Sequence, residues 1–325
     1  VTAVGTAGHN ATRWTRRHVL ELNDWRRDEI EAVLETTGAM VEILQRPVRK
    51  APPLRGKTVI LFFAESSTRT RVSFELAAKA LSADVTNITA SGSSVEKGET
   101  LYDTVRTLQA LGGDIIVMRH ASSGAPYFVA ERTDAAVINA GDGWHAHPTQ
   151  GLLDAYTLRG ALGDLAGKRI VIVGDVLHSR VARSDINALA PLGATITLSG
   201  PPTLMPTAWC HGLLPPCVTY EPDLDRALDS ADAVIALRLQ KERQEGGLLP
   251  SLREYTRVWG LTEKRVALMH PNAPVMHPGP MNEGVEIDAA VAHGARSLVE
   301  KQVANGVAVR MALLYLLTGT PLEAA

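Results

Sequence analysis

The chain has 325 residues, a formal net charge of −2, 45% hydrophobic and 21% charged residues; this suits a globular protein of roughly two domains and lacks the basic excess that nucleic-acid binding usually leaves. Two cysteines, Cys210 and Cys217, are too few for a disulfide framework and fit a reducing compartment, here taken as the cytoplasm. No apolar run approaches the ~20 residues that span a bilayer, and residues 1–17 lack a basic-then-apolar signal pattern, so neither a membrane role nor secretion is expected.

Asn23 and Asp24 offer a helix cap ahead of Ile30, Val33, Leu34, Val41 and Leu44, whose spacing predicts a long amphipathic helix. A proline-containing loop over 47–56 leads into Val59-Ile60-Leu61-Phe62-Phe63, short and β-prone enough for a buried strand. A helix is then predicted from Val72, Leu76 and Ala80 together with Phe74, Ala77, Ala78 and Leu81. Between strand and helix stand Ser66-Ser67-Thr68-Arg69-Thr70-Arg71, four hydroxyls and two guanidiniums. The first turn of a helix has N–H groups without intrahelical partners and carries partial positive charge, hydroxyls add donors, and a guanidinium grips phosphate oxygens as a fork. That combination reads as an anion site; the same residues also suit a plain N-cap flanked by two surface arginines.

Residues 84–88 read as a second strand, and the polar, Gly/Ser-rich stretch 89–100 as an exposed loop, either a linker or functional. A helix over 101–111 precedes a third strand, 114–118, ending at Arg119-His120, and a fourth, 136–140, ending at Gly141-Asp142-Gly143. Ligands of open α/β sheets bind outside the carboxyl ends of the strands, which places Arg119 and the Ser67 group on one rim. His145-Ala146-His147 lacks an acidic or cysteine partner at a convincing spacing, and Cys210-His211 with Cys217 is better read as free thiols, so no metal is expected. A helix over 155–162 is expected to join two domains. The strand 169–173 ends at Gly174-Asp175 without the further glycines of a dinucleotide fingerprint, so no cofactor is expected and a nicotinamide dehydrogenase is the distant alternative. Ser179-Arg180-Val181-Ala182-Arg183-Ser184 opens another helix, with Arg183 assigned to the surface. Strands at 195–198 and 233–237 continue the alternation, which predicts an α/β fold with parallel sheets. The second of them runs into Arg238-Leu239-Gln240-Lys241-Glu242-Arg243, a cluster that by itself is usually a solvated face. Val299, Val303, Val307, Met311, Leu314 and Leu317 predict a buried terminal helix.

Six segments, in order, resemble motifs of the transcarbamoylase family. Ser67-Thr68-Arg69-Thr70-Arg71 with Ser73-Phe74-Glu75 resembles its carbamoyl-phosphate motif. The segment 93–100 resembles the loop that reaches into a neighbouring subunit's site, matching at Ser93 and Lys97. His147-Pro148-Thr149-Gln150 with Leu152, Leu153 and Asp154 matches its signature, and Arg180, Arg238-x-Gln240 and His277-Pro278-Gly279-Pro280 follow. The resemblance implies two doubly wound α/β domains with central parallel sheets, linked by helices, with the active site in the cleft between them. The terminal helix would cross back, giving a carbamoyl-phosphate domain of 1–150 plus 303–325 and an amino-acid domain of 151–302.

It further implies that Ser67, Thr68, Arg69, Thr70 and Arg119 cradle the phosphate, with Ser93 and Lys97 joining from a neighbour in a homotrimer. Thr68, Arg119 and His147 would face the carbamoyl oxygen; Gln150 and the carbonyls of the Gly279-Pro280 turn would hold the carbamoyl amide. Arg180, Arg238 and Gln240, with Lys97, would hold L-aspartate. Members of the ornithine type carry Cys after the His of the last turn, where this chain has Pro278; aspartate-type members commonly carry Arg where it has Glu283. The expected reaction is carbamoyl transfer from carbamoyl phosphate to aspartate, in pyrimidine biosynthesis. The alternatives are another acceptor such as ornithine, or a chiefly scaffolding role in an assembly with dihydroorotase or regulatory chains.

Overall fold

The computed structural model describes residues 14–89, 100–206, 215–239, 249 and 251–318. Helix α1 (Arg27–Gln45) buries Ile30, Val33, Leu34 and Met40. Its cap is Arg26 and not the Asn23-Asp24 pair, because Glu29 reaches back to accept from the Arg26 backbone N–H at 2.9 Å. Asp24 instead accepts from the Arg16 guanidinium at 3.0 Å.

The first sheet is built from β1 (Thr58–Phe63), β2 (Asp84–Thr89), β3 (Ile115–His120) and β4 (Ala136–Asp142), all parallel in the order β2-β1-β3-β4. The crossovers carry α2 (Thr68–Ala80), α3 (Leu101–Ala110) and the short α4 (Ala125–Ala130). The central strands are apolar throughout because both faces are covered: Ile60, Phe62, Ile116 and Met118 pack on one side with Val105, Leu108 and Val129, while Val59, Leu61, Phe63 and Val117 face the other. β2, an edge strand, is correspondingly polar and exposed. At the opposite edge Val19 bridges to β4, donating to Val137 O and accepting from Asn139 N, both at 2.8 Å.

Helix α5 (Pro148–Leu162) leads to the second sheet. It opens with Pro148 in its first turn and stops at Gly163, and its buried residues lie on nearly every face, as in a helix enclosed by protein. The second sheet joins β5 (Arg169–Val173), β6 (Thr195–Ser199), β7 (Val218–Tyr220), β8 (Ala233–Ala236) and β9 (Val275–Met276), all parallel in the order β7-β6-β5-β8-β9. Between them run α6 (Arg180–Leu189), a 3₁₀ turn at Pro202–Leu204, and the short α7 (Leu224–Leu228), α8 (Leu252–Trp259) and α9 (Glu263–Val266); α10 (Ala289–Ala292) follows β9.

The last helix, α11 (Val299–Thr318), packs against α1, α2 and α5. Most of it is buried, but Val303 is 57% exposed, so the apolar register does not face the core along its whole length. Val72 and Leu76 of α2 depart from the expected core in the same way and lie at the surface. One continuous core runs from the first sheet through α5, α6 and α11 to the second, so the carboxyl ends of β1, β3 and β5 open on a shared rim.

Candidate active site

A cavity of about 940 Å³ lies at that rim. Ser67, Thr68, Arg69, Thr70, Arg119, His147, Gln150, Arg180, Arg238, Gly279 and Pro280 all line it. Ser93, Lys97 and Gln240 lie outside the described residues.

Ser67 stands at the N-cap position of α2, yet its side chain makes no capping bond to the helix. Its hydroxyl is not spent as a plain cap would spend it, and the helix start faces the cavity with its N–H groups and dipole. Burial and the charge of Arg238 lower the pKa of Arg69. Two guanidiniums that repel each other across a cavity are best relieved by an anion between them.

Glu65, which the sequence did not single out, supplies a counter-charge. Its carboxylate accepts from Arg119 at 2.7 Å and from Arg180 at 3.1 and 3.2 Å. Burial opposes its ionisation, but the hydrogen bond and charge of Arg180, with those of Arg119, outweigh burial and hold the carboxyl below its usual range. Arg119 also donates to Ala140 O and Arg180 to Gly143 O, so each fork is aimed by the end of β4 and the turn after it. Arg310, on α11, also lines the cavity; it donates to Ser73 Oγ at 2.9 Å, stacks over Phe74, and is pulled down to about 10 chiefly by burial.

His147 sits at the N-cap of α5, its backbone N–H donating to Ser184 Oγ of α6 at 2.9 Å. It is buried, and burial followed by the charges of Arg180, Arg119 and Arg310 holds it well below its ordinary pKa. At neutral pH it is an uncharged imidazole that can donate one N–H without carrying a proton in excess. Gln150, one turn on, donates its amide to Asp154 at 3.1 and 3.2 Å.

The turn after β9 closes the cavity. Gly279 N donates to His277 Nδ1 at 2.8 Å, leaving Nε2 to donate to the buried Glu286 at 3.2 Å, and Gln302 on α11 accepts from His277 N at 3.0 Å. Gly279 has φ +61°, and a Cβ there would stand 2.7 Å from Arg69 Nη1, so glycine lets the turn approach Arg69. Arg183 is not on the surface as expected: it is half-buried and donates to Leu177 O. Among the described residues no group of His, Cys, Asp and Glu is arranged to hold a metal ion.

Comparison with known proteins fits this geometry. Residues 17–160 match the family model described as the aspartate/ornithine carbamoyltransferase carbamoyl-P binding domain, and residues 166–317 match the Asp/Orn binding domain. The chain belongs to the aspartate/ornithine carbamoyltransferase family. Within that carbamoyltransferase family it is 59% identical over 314 residues to the aspartate carbamoyltransferase catalytic subunit of Roseiflexus castenholzii, covering 96% of this chain and 98% of that one. Identity to the corresponding subunit of Dehalococcoides mccartyi is 53%, over 94% and 93% of the two chains. A carbamoyltransferase structure from Trypanosoma cruzi, in complex with carbamoyl phosphate and aspartate, superposes with a TM-score of 0.82 at 28% identity, over 92% of this chain and 95% of that one. An ornithine carbamoyltransferase from Pyrococcus furiosus superposes at 0.81, again at 28% identity, over 92% and 96%. The carbamoyltransferase fold thus serves both acceptors, and the choice between them lies in the side chains.

Proposed function

We infer that the chain transfers the carbamoyl group of carbamoyl phosphate to the amine of L-aspartate, giving N-carbamoyl-L-aspartate and phosphate. The observation that carries the choice of acceptor is the charge of the cavity. Among the described residues it is lined by five guanidiniums, Arg69, Arg119, Arg180, Arg238 and Arg310, against the single carboxylate of Glu65. That balance suits a dianionic phosphate beside a dicarboxylic amino acid, whereas ornithine, reacting through one of its two amines, would keep the other as an ammonium and add a sixth cation.

In this reading Ser67 to Thr70 and Arg119 bind the phosphate, and Thr68, Arg119 and His147 donate to the carbamoyl oxygen as charge builds on it. Gln150 and the Gly279-Pro280 carbonyls take the carbamoyl amide, and Arg180, Arg238 and Gln240 hold the aspartate carboxylates. The amine attacks the carbamoyl carbon, the C–N bond forms, the C–O bond to phosphate breaks, and the departing phosphate takes the amine proton. Loss of one oxyanion donor in such a site typically lowers the rate by ~10²–10³. No covalent intermediate is needed, since alignment and fixed dipoles supply the acceleration.

The active unit is a homotrimer in which Ser93 and Lys97 complete a neighbour's site, working in the cytoplasm in pyrimidine biosynthesis and open to larger assemblies with dihydroorotase or regulatory chains. Among the described residues no helix is long and apolar enough to cross a membrane. The test is phosphate release from carbamoyl phosphate by the purified protein with L-aspartate or L-ornithine as acceptor. Aspartate-dependent release with carbamoylaspartate as product is expected; release with ornithine alone would overturn the acceptor assignment.

A further inference from the structure

Asp154 lies behind the cavity and does not line it. It is fully buried on α5, and two glutamines from different parts of the fold donate to its carboxylate. Gln150, from the turn before it, donates at 3.1 and 3.2 Å, and Gln302, from α11, donates at 2.6 Å. Gln302 turns its other amide atom, Oε1, to the backbone N–H of His277 at 3.0 Å. The carboxyl of Asp185 on α6 faces Asp154, and among the described residues no N–H or hydroxyl group donates to it. Burial and the neighbouring carboxylate push Asp185 well above its usual pKa, while burial raises Asp154 to about 6 against the hydrogen bonds of Gln302 and Gln150. Two amide groups donate to Asp154 and none of the described residues donates to Asp185, so the negative charge of the pair is held on Asp154 and the proton on Asp185.

An ionised carboxylate accepts and never donates. Each glutamine facing it must present its NH₂, and each is thereby left with its oxygen on the far side. For Gln302 that oxygen meets His277 N. For Gln150 it is the atom left for the cavity that Gln150 lines.

We propose that Asp154 is a positioning residue for substrate choice: through Gln150 and Gln302 it fixes an acceptor, and the turn after His277, toward the ligand's amide, so that the site reads the NH₂ of a carbamoyl group and rejects acyl phosphates that lack it. This rests on the carbamoyl-phosphate reading above. A carboxamide in place of Asp154 would let Gln150 turn either end to the cavity. A phosphate carrying a methyl group in place of NH₂ gains nothing from the oriented oxygen, because an acceptor facing a methyl group is left unpaired.

The experiment compares equilibrium binding of carbamoyl phosphate, acetyl phosphate and inorganic phosphate to the wild-type protein and to Asp154→Asn. In the variant, carbamoyl phosphate is expected to weaken by ~10-fold while acetyl phosphate and inorganic phosphate stay within about 2-fold. Asp185→Asn keeps a donor toward Asp154 and is expected to retain the wild-type preference. If Asp154→Asn does not fold, Gln302→Leu leaves the carboxyl pair in place and cuts one arm, with a loss of preference of ~3-fold expected. An unchanged preference in the folded variant overturns the proposal, as does an equal weakening of all three ligands or an equal loss in Asp185→Asn. A wild-type protein with no preference for carbamoyl over acetyl phosphate would instead overturn the carbamoyl-phosphate reading itself.

Discussion

A carboxylate held between two guanidiniums competes with an incoming anion for both, and Glu65 is so placed toward Arg119 and Arg180. Part of the attraction for phosphate is therefore spent in displacing it. Glu65→Gln keeps the shape and removes the charge. Inorganic phosphate is expected to bind this variant roughly tenfold more tightly, a gain of about 1.4 kcal/mol, seen as a larger phosphate-dependent rise in melting temperature; unchanged or weaker binding by a folded variant would refute the role. Glu65 was hard to find from the sequence because it sits beside hydroxyls and arginines whose own signal is stronger. Arg310 was hidden differently, as one cation in an apolar helix register, and only the packing of α11 on α2 brings it to Ser73. Gln150 was legible through its motif, but the partners that orient it, Asp154 and Gln302, meet across 148 positions of chain.

Elements that carry a long apolar run were readable, and those that depend on a contact were not. The strands β1, β3, β4, β5 and β8 declare themselves because both sheet faces are covered, whereas β7, α4 and α7 to α10 are too short for a period to show. The pairing of α5 with α6 has no sequence pattern at all. It rests on Gly151, where a Cβ would lie 2.4 Å from Ser184 O, a backbone atom that cannot swing aside. The same Ser184 receives the His147 N–H. Gly151→Ala is expected to lower stability by about 1–3 kcal/mol, as overpacking does, when measured by urea unfolding. Because the shift passes through Ser184, it should also reduce kcat well beyond the loss of folded protein; full specific activity in the folded fraction would show that α6 does not position His147.

At the scale of the whole molecule, the proposed sharing of sites between neighbours has a stoichiometric signature. Arg69→Ala and Lys97→Ala should each be inactive as pure trimers. Dissociated, mixed in equal amounts and reassociated, they are expected to regain roughly a quarter of the wild-type sites, from random pairing at head-to-tail interfaces. Activity no greater than that of the separate variants would place Lys97 in its own subunit's site or outside any site. The parallel α/β character of two halves was legible because strands and helices alternate along the chain, whereas the order of strands within each sheet was not; the position of the terminal helix came only from resemblance, since its apolar register says that it is buried and not against what.

That position bears on how the chain is made. Domains generally fold in the order in which they leave the ribosome, yet here α1, α2 and α5 are covered by α11, which follows the second sheet in the chain. The second sheet has all its strands once Met276 has emerged, while α1, α2 and α5 still await α11. Until α11 has followed, the faces of those helices that it covers are exposed to chaperones or to other nascent chains.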